Sequence, residues 1–190
     1  TPDQMTWTFV GNKNVKINVA GGVATFTAGK DWNGTERLRL TVSDPGGLTR
    51  RRPITVRVKP VNDKPVVSDI AAISFDEDKS HVFSLYSIVT DVDNTKLSLK
   101  WKITGNTNVK VHVVGRRATI SGAKNWNGTE TLTFSTTDPG GLSDAKSTTV
   151  TINAVNDPPV LKPIAAVSFN EDESATLTLT DFVADPDNTP

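Results

Sequence analysis

Two short acidic stretches carry the most pointed chemistry in this chain: DVDN, Asp91 to Asn94, and DPDN, Asp185 to Asn188. In each, two aspartates are separated by one residue and followed by asparagine. In an extended strand alternate side chains share a face, so Asp91 and Asp93 are expected to point together. Without a cation they would repel. Calcium takes about six to eight oxygen ligands at about 2.3 to 2.6 Å, and carboxylates, amide oxygens and backbone carbonyls supply them. The plainer alternative is turn formation, in which an Asp side chain bonds its own backbone.

Little else competes for a chemical role. The chain has no cysteine, which removes disulfides, thiolate metal sites and a cysteine nucleophile. It has no nucleophile elbow, GxGxxG or phosphate loop, and His81 and His112 show no ligand spacing, so no enzymatic activity is expected. With 21 basic and 21 acidic residues the formal net charge is zero, and nothing in that total implies nucleic acid or a membrane surface as partner. No apolar run approaches the roughly 18 residues of a membrane span. The chain opens on Thr1 without a signal peptide and reads as a mature segment, either cut from something longer or a subunit in its own right.

The elements that must position these acids come from an internal repeat. KDWNGTERLRLTVSDPGGL, Lys30 to Leu48, lies over KNWNGTETLTFSTTDPGGL, Lys124 to Leu142, with 12 of 19 positions identical at an offset of 94 residues. The same offset carries Trp7 to Trp101, NVKINV to NVKVHV, VNDKPV at Val61 to VNDPPV at Val155, and FDED at Phe75 to FNED at Phe169, without a gap. Alternating runs such as VKVHVV, TLTFST and STTVTINAV are strand-like and none shows helical periodicity. Gly, Asn, Asp and Pro interrupt them about every eight to twelve residues, the spacing of an all-β sandwich. About seven strands are expected between Val61 and Ala154. The proline-bearing VNDKPV and VNDPPV suit linkers. They divide the chain into residues 1–60, the later part of one domain, 61–154, a complete domain, and 155–190, the first part of a next.

The VND(K/P)P linker, the acidic DxDN before a Trp-bearing strand, and DPGGL before the last strand together resemble the cadherin-like, dystroglycan-type repeats of bacterial and archaeal surface proteins. The resemblance implies tandem immunoglobulin/cadherin-like β-sandwiches, commonly calcium-binding, in adhesins, filaments and some polysaccharide-degrading enzymes. The chain departs from animal cadherins in having VND before Pro or Lys-Pro in place of DxNDN, and in lacking LDRE, where DWNGTE or NWNGTE stands. Carried over by resemblance, the first junction would use Asn62, Asp63, Asp91, Asp93 and Asp138, with Glu36 a weaker candidate. The second would use Glu77, Glu130, Asn156, Asp157, Asp185 and Asp187. Asp44, the repeat counterpart of Asp138, would complete the site with Asp185 and Asp187 of another chain.

Several other residues have two readings. Trp7 and Trp101 sit mid-strand, where such a sandwich buries a core tryptophan. Trp32 and Trp126, in the DWNG and NWNG loops, either plug the sandwich end or offer a sugar-stacking face. NGT at Asn33 and Asn127 is a glycosylation sequon or an Asn-Gly turn. Arg50 to Arg52 suggest a polyanion site or a charged, pairing-averse edge strand, and the second is the better reading because their counterparts are Asp144, Ala145 and Lys146.

The expectation is therefore an extracellular, cell-surface structural repeat stiffened by calcium, partnered by neighbouring repeats or by copies of itself. Residues 155–190 of one chain would complete 1–60 of the next by strand complementation. The alternative is a carbohydrate-binding module with a polysaccharide partner.

Overall fold

The computed structural model describes residues 4–187. Thr1 to Asp3, and Asn188 to Pro190 at the end of the DPDNTP stretch, lie outside the described residues. The chain separates into two compact units after Asp63, within VNDKPV.

The second unit contains a β-sandwich with nine strands between Lys64 and Ala154: β6 (Val66–Val67), β7 (Ile73–Asp76), β8 (Ser80–Ser84), β9 (Val89–Thr90), β10 (Lys100–Thr104), β11 (Lys110–Val114), β12 (Arg117–Ser121), β13 (Gly128–Thr137) and β14 (Ser143–Asn153). One sheet has the order β10-β13-β14-β7; the other face is made by β11-β12-β8 and by the pair β6-β9. The expected seven strands are present as seven positions, two of them broken. The first position is split into β6, antiparallel to β9, and β7, parallel to β14, so it changes sheets between Ser68 and Ala72. The second is split by a 3-10 turn at Leu85–Ile88, which drives Leu85 fully into the core while its N–H bonds the Arg116 carbonyl at 2.8 Å.

Alternation along β13 and β14 sets Leu132, Phe134, Val150 and Ile152 inward, against Ile73, Leu85, Val109, Ala118 and Ile120. Phe83 meets Phe134 edge-on with ring centroids 5.5 Å apart. Trp101 is half-buried and packs on a second cluster of Val67, Val89 and Leu99. Asp144 binds β6 to the edge of β14 by accepting from Val67 N–H at 2.8 Å and Lys64 Nζ at 3.1 Å.

The first unit has the five later strands of the same plan: β1 (Thr6–Val10), β2 (Val15–Ala20), β3 (Val23–Ala28), β4 (Gly34–Ser43) and β5 (Thr49–Val58). They form the sheet β1-β4-β5 and the hairpin β2-β3, whose Gly21-Gly22 turn has φ of 54° and 77°, the left-handed pair a two-residue hairpin needs. Its buried apolar residues are Val15 and Leu38, and Phe9 meets Phe26 edge-on. Trp7, expected in the core, is exposed instead. The reason is topological: its counterpart Trp101 is covered from β6 and β9, and among the described residues the first unit has no equivalent of either.

Residues 155–187 begin the plan again. β15 (Val160–Leu161) pairs antiparallel with β16 (Val183–Ala184) after a 3-10 turn at Leu179–Phe182, each 94 residues beyond its counterpart in β6, β9 and the earlier turn. Val167, Phe169 and Leu179 are exposed here, whereas the counterparts Ile73 and Leu85 are buried.

One carboxylate in each copy fixes the crossing between sheets. Glu130, on the inward face of β13, accepts from the backbone N–H groups of Thr107, Asn108 and Val109 at 2.9, 2.7 and 3.2 Å, and from the Asn108 amide. Glu36 does the same for Lys13, Asn14 and Val15 in the loop from β1 to β2. Burial pushes the Glu130 carboxyl up, but the bonds from Asn108, Thr107 and Val109 outweigh it and leave its pKa below the ordinary 4.5. For Glu36 the Asn14 N–H is the largest cause of the same lowering.

Replacing Glu130 by Ala strands three amide donors near the surface. Because water reaches part of the loop, a loss of about 1 to 2 kcal/mol is expected in a urea melt, with Gln recovering part of it. A depressed carboxyl stabilises above its unfolded value and loses that contribution as pH falls through the folded value. The gap between wild type and Glu130→Ala should therefore be constant above about pH 5 and shrink below about pH 4. A gap unchanged at pH 3 would contradict the role.

Candidate metal centre

The acidic stretch after β9 is not extended. Residues 91–94 form a bend, and Asp91 Oδ1 accepts from the N–H groups of Asp93 and Asn94 at 2.9 and 2.7 Å and from the Asn94 amide at 3.2 Å. The expectation that Asp91 and Asp93 share a strand face is corrected: the side chain closes a turn, and its second oxygen, Oδ2, is buried without a hydrogen-bond partner. The other copy bends likewise, with Asp187 N–H donating to Asp185 Oδ1 at 2.9 Å.

Both turn chemistry and an available oxygen are thus present in one residue. A buried carboxylate oxygen with no donor is costly, and a hard cation is the partner that relieves it.

The second unit brings four of the candidate residues to the segment that leaves β14. Glu77, only 3% exposed, accepts from Val155 N–H at 2.7 Å through Oε1 and leaves Oε2 buried and unpartnered. Its own N–H bonds the Asn153 carbonyl at 2.9 Å, so the FDED turn is stitched to the end of the last strand. Two residues further on, Asp157 N–H donates to Asp187 Oδ2, tying the VND linker to the DPD turn. Asp157 Oδ2 is the third buried carboxylate oxygen with no partner. Asn156 is exposed and donates to the Asp157 carbonyl at 3.3 Å.

Asp138 and Asp44 close the two DPGGL turns, their Oδ1 atoms accepting from Leu142 and Leu48 N–H at 2.9 and 2.8 Å. Asp138 is buried, at 4% exposure. Asn62 and Asp63 end the first unit, whereas Asp91, Asp93 and Asp138 belong to the second, so the residues expected at the first junction fall in separately described units. Glu36 and Glu130 act as loop clamps, with backbone N–H groups engaging both oxygens of each carboxylate.

The donor set is all oxygen, which suits calcium rather than a thiolate- or imidazole-seeking metal. Among the described residues no three Asp, Glu or His side chains are gathered into a closed metal site. The fit with calcium therefore rests on the unsatisfied oxygens of Glu77, Asp91 and Asp157, which are the only buried carboxylate oxygens without a partner among the described residues.

Trp126 packs against the core cluster, and its ring lies beneath Gly128, where an added Cβ would come within 2.8 Å of it. Gly128 also has φ of 149°, so the NWNG glycine is needed both for backbone conformation and for the close ring. This placement favours an end plug over a stacking platform. Asn33 and Asn127 are exposed.

No helix among the described residues is long and apolar enough to cross a membrane. No curated protein matches the chain. Among solved structures it is similar to extracellular cadherin domains 3–6 of protocadherin gamma B2, at 18% identity and a TM-score of 0.54 over 84% of this chain and 42% of that one. A protocadherin gamma B7 cis-dimer of domains 3–6 gives 19% identity and 0.53, over 85% and 43%. The first two domains of human mucin-like protocadherin give 16% and 0.50, over 80% and 85%. The chain thus spans less than half of the two gamma protocadherin chains, and at these identities the likeness is one of fold. A family described as the cadherin-like domain matches residues 61–153. These are the residues that build the sandwich with the split first strand and carry the VND, DVDN and DPGGL motifs: residues 61–153 are a cadherin-like domain.

Proposed function

We propose that the chain is a structural repeat of an extracellular, cell-surface adhesin or filament, stiffened by calcium where one sandwich passes to the next. The observation that carries this reading is the pair of buried, unpartnered oxygens on Glu77 and Asp157, either side of the exit from β14. Glu77 and Asp157, with Asn156, Asp185 and Asp187, would hold an ion there. Asp91, Asp93 and Asp138, all in the second unit, would serve another ion. Calcium supplies the charge that lets these carboxylates stay together and fixes the short linker between them. With dissociation constants of about 0.1 to 1 mM, millimolar calcium stabilises by about 0.4 to 1.4 kcal/mol per site.

The same reading gives residues 155–187 a partner. Their exposed Val167, Phe169, Leu177 and Leu179 are counterparts of residues that complete the middle sandwich, and the first unit has the strands that such a segment would complete. The segment from one copy would add to β5 and β3 of the next, as β7 adds to β14 and β8 to β12. Repetition of that contact would give an open-ended array.

Calorimetric titration tests the ion site. Calcium is expected to bind the wild type in the range of about 0.1 to 1 mM, and Asp157→Asn and Glu77→Gln to weaken the second site by about tenfold. Glu36→Gln should leave calcium affinity unchanged. Equal isotherms for all four proteins would contradict the metal reading. Sedimentation tests the pairing separately: a mass that grows with concentration in calcium supports complementation, and a monomer throughout contradicts it while leaving the ion sites standing.

A further inference from the structure

The zero net charge conceals a division. Residues 1–63 hold ten basic and five acidic side chains, and residues 64–190 hold eleven and sixteen, giving +5 and −5. Six of the eight arginines lie in the first unit, all on β4 and β5.

Strand register sorts those arginines by face. Directly opposed residues of an antiparallel pair share a side of the sheet. Thr35 faces Arg57, Arg37 faces Thr55, Arg39 faces Pro53 and Thr41 faces Arg51, while Val10 of β1 lies opposite Arg39. Glu36, Leu38, Leu40 and Val42 occupy the other, inner side, where they are buried or half-buried. Arg37, Arg39, Arg51 and Arg57 therefore stand together on the outer face, all exposed. The outward positions of β1, β4 and β5 include no acidic residue, and among the described residues none of these arginines is in an ion pair. An open groove lies against these strands, lined by Val10, Gly11, Arg37, Arg39, Arg51 and Pro53 and, from the inner side, by Leu38 and Arg52.

The repeat supplies an internal control. At the same four positions the middle domain has Thr131, Thr133, Ala145 and Thr151, so the fold does not require arginine there. Arg37 and Arg39 are about 7 Å apart along β4, and Arg57 and Arg51 are their diagonal neighbours on β5, so the four charges repel unless a partner neutralises them.

We propose that this face binds a polyanionic polysaccharide, with Arg37, Arg39, Arg51 and Arg57 receiving its sulfate or carboxylate groups. Guanidinium forks grip such groups through paired N–H bonds. Thr8, Thr41 and Thr55 supply hydroxyls, and Val10 and Pro53 an apolar strip, for the sugar rings between the charges. Single-stranded nucleic acid fits less well because the face has no aromatic side chain on which bases could stack. The proposal does not depend on the calcium reading.

Fluorescence anisotropy with labelled dextran sulfate, in chelator, tests the proposal. The wild type should bind it in a salt-sensitive manner and ignore neutral dextran. The variant Arg37→Thr, Arg39→Thr, Arg51→Ala and Arg57→Thr, which installs the middle domain's residues, should bind at least about tenfold more weakly. Arg50→Thr, which removes an inner-face charge outside the groove lining, should change binding by less than about twofold. If the fourfold variant does not melt cooperatively, Arg39→Thr and Arg51→Ala alone should each weaken binding. No binding by the wild type would overturn the proposal. So would equal losses in the fourfold variant and in Arg50→Thr, tighter binding of a single-stranded DNA oligonucleotide, or self-association abolished by the outer-face changes alone.

Discussion

Side-chain carboxylates that accept backbone N–H groups hold the ends of this sandwich in place. Strand ladders satisfy the backbone along their length, but at the ends the amides must find other acceptors. Glu130 takes three from one loop, Asp91 two from its own turn, and Asp138, Glu77 and Asp187 one each from the segments they close. These bonds fix the carboxylates as firmly as the carboxylates fix the loops. Where one oxygen is left over in a buried position, as in Glu77, Asp91 and Asp157, the fold has fixed an anion before any cation arrives.

That difference separates two kinds of acid that look alike in the sequence. Glu36 and Glu130 have both oxygens engaged by N–H donors. Glu77 and Asp157 each spend one group on the backbone bond that orients them and retain an oxygen. The distinction is geometric, set by how many amides the nearest loop turns toward the carboxylate. A sequence signal for the clamps does exist: Glu36 and Glu130 interrupt the mostly apolar, inward-facing positions of β4 and β13, where an acid is tolerated only with several donors.

The repeat, the all-β class and the packing of Trp101 were legible because identity at a fixed offset and period-2 alternation are local properties. The split of the first strand between sheets was not, because Val66–Val67 and Ile73–Asp76 differ in their partners rather than in their own pattern. The Asp91 turn was misread as strand for a similar reason: a short Asp-x-Asp run alternates as a strand does, and only the Asn94 and Asp93 amides decide otherwise. The basic outer face was hidden in the same way. Arg37 and Arg39 join Arg51 and Arg57 only through the β4–β5 register, so the consecutive triplet at Arg50 to Arg52 drew attention to the wrong grouping.

The middle sandwich has a contiguous apolar core, whereas the first unit and residues 155–187 expose side chains that the shared plan buries. In such a string each domain's stability depends on its neighbours. The central claim is that the leftover carboxylate oxygens are calcium ligands. A thermal melt of the chain in millimolar calcium, in magnesium and in excess chelator tests it most directly. At about 0.4 to 1.4 kcal/mol per site and about 4 to 8 °C per kcal/mol, calcium should raise the midpoint by several degrees, with magnesium matching chelator. Three superimposable melts would contradict the claim and leave Asp91, Asp157 and Glu77 as turn and loop formers alone.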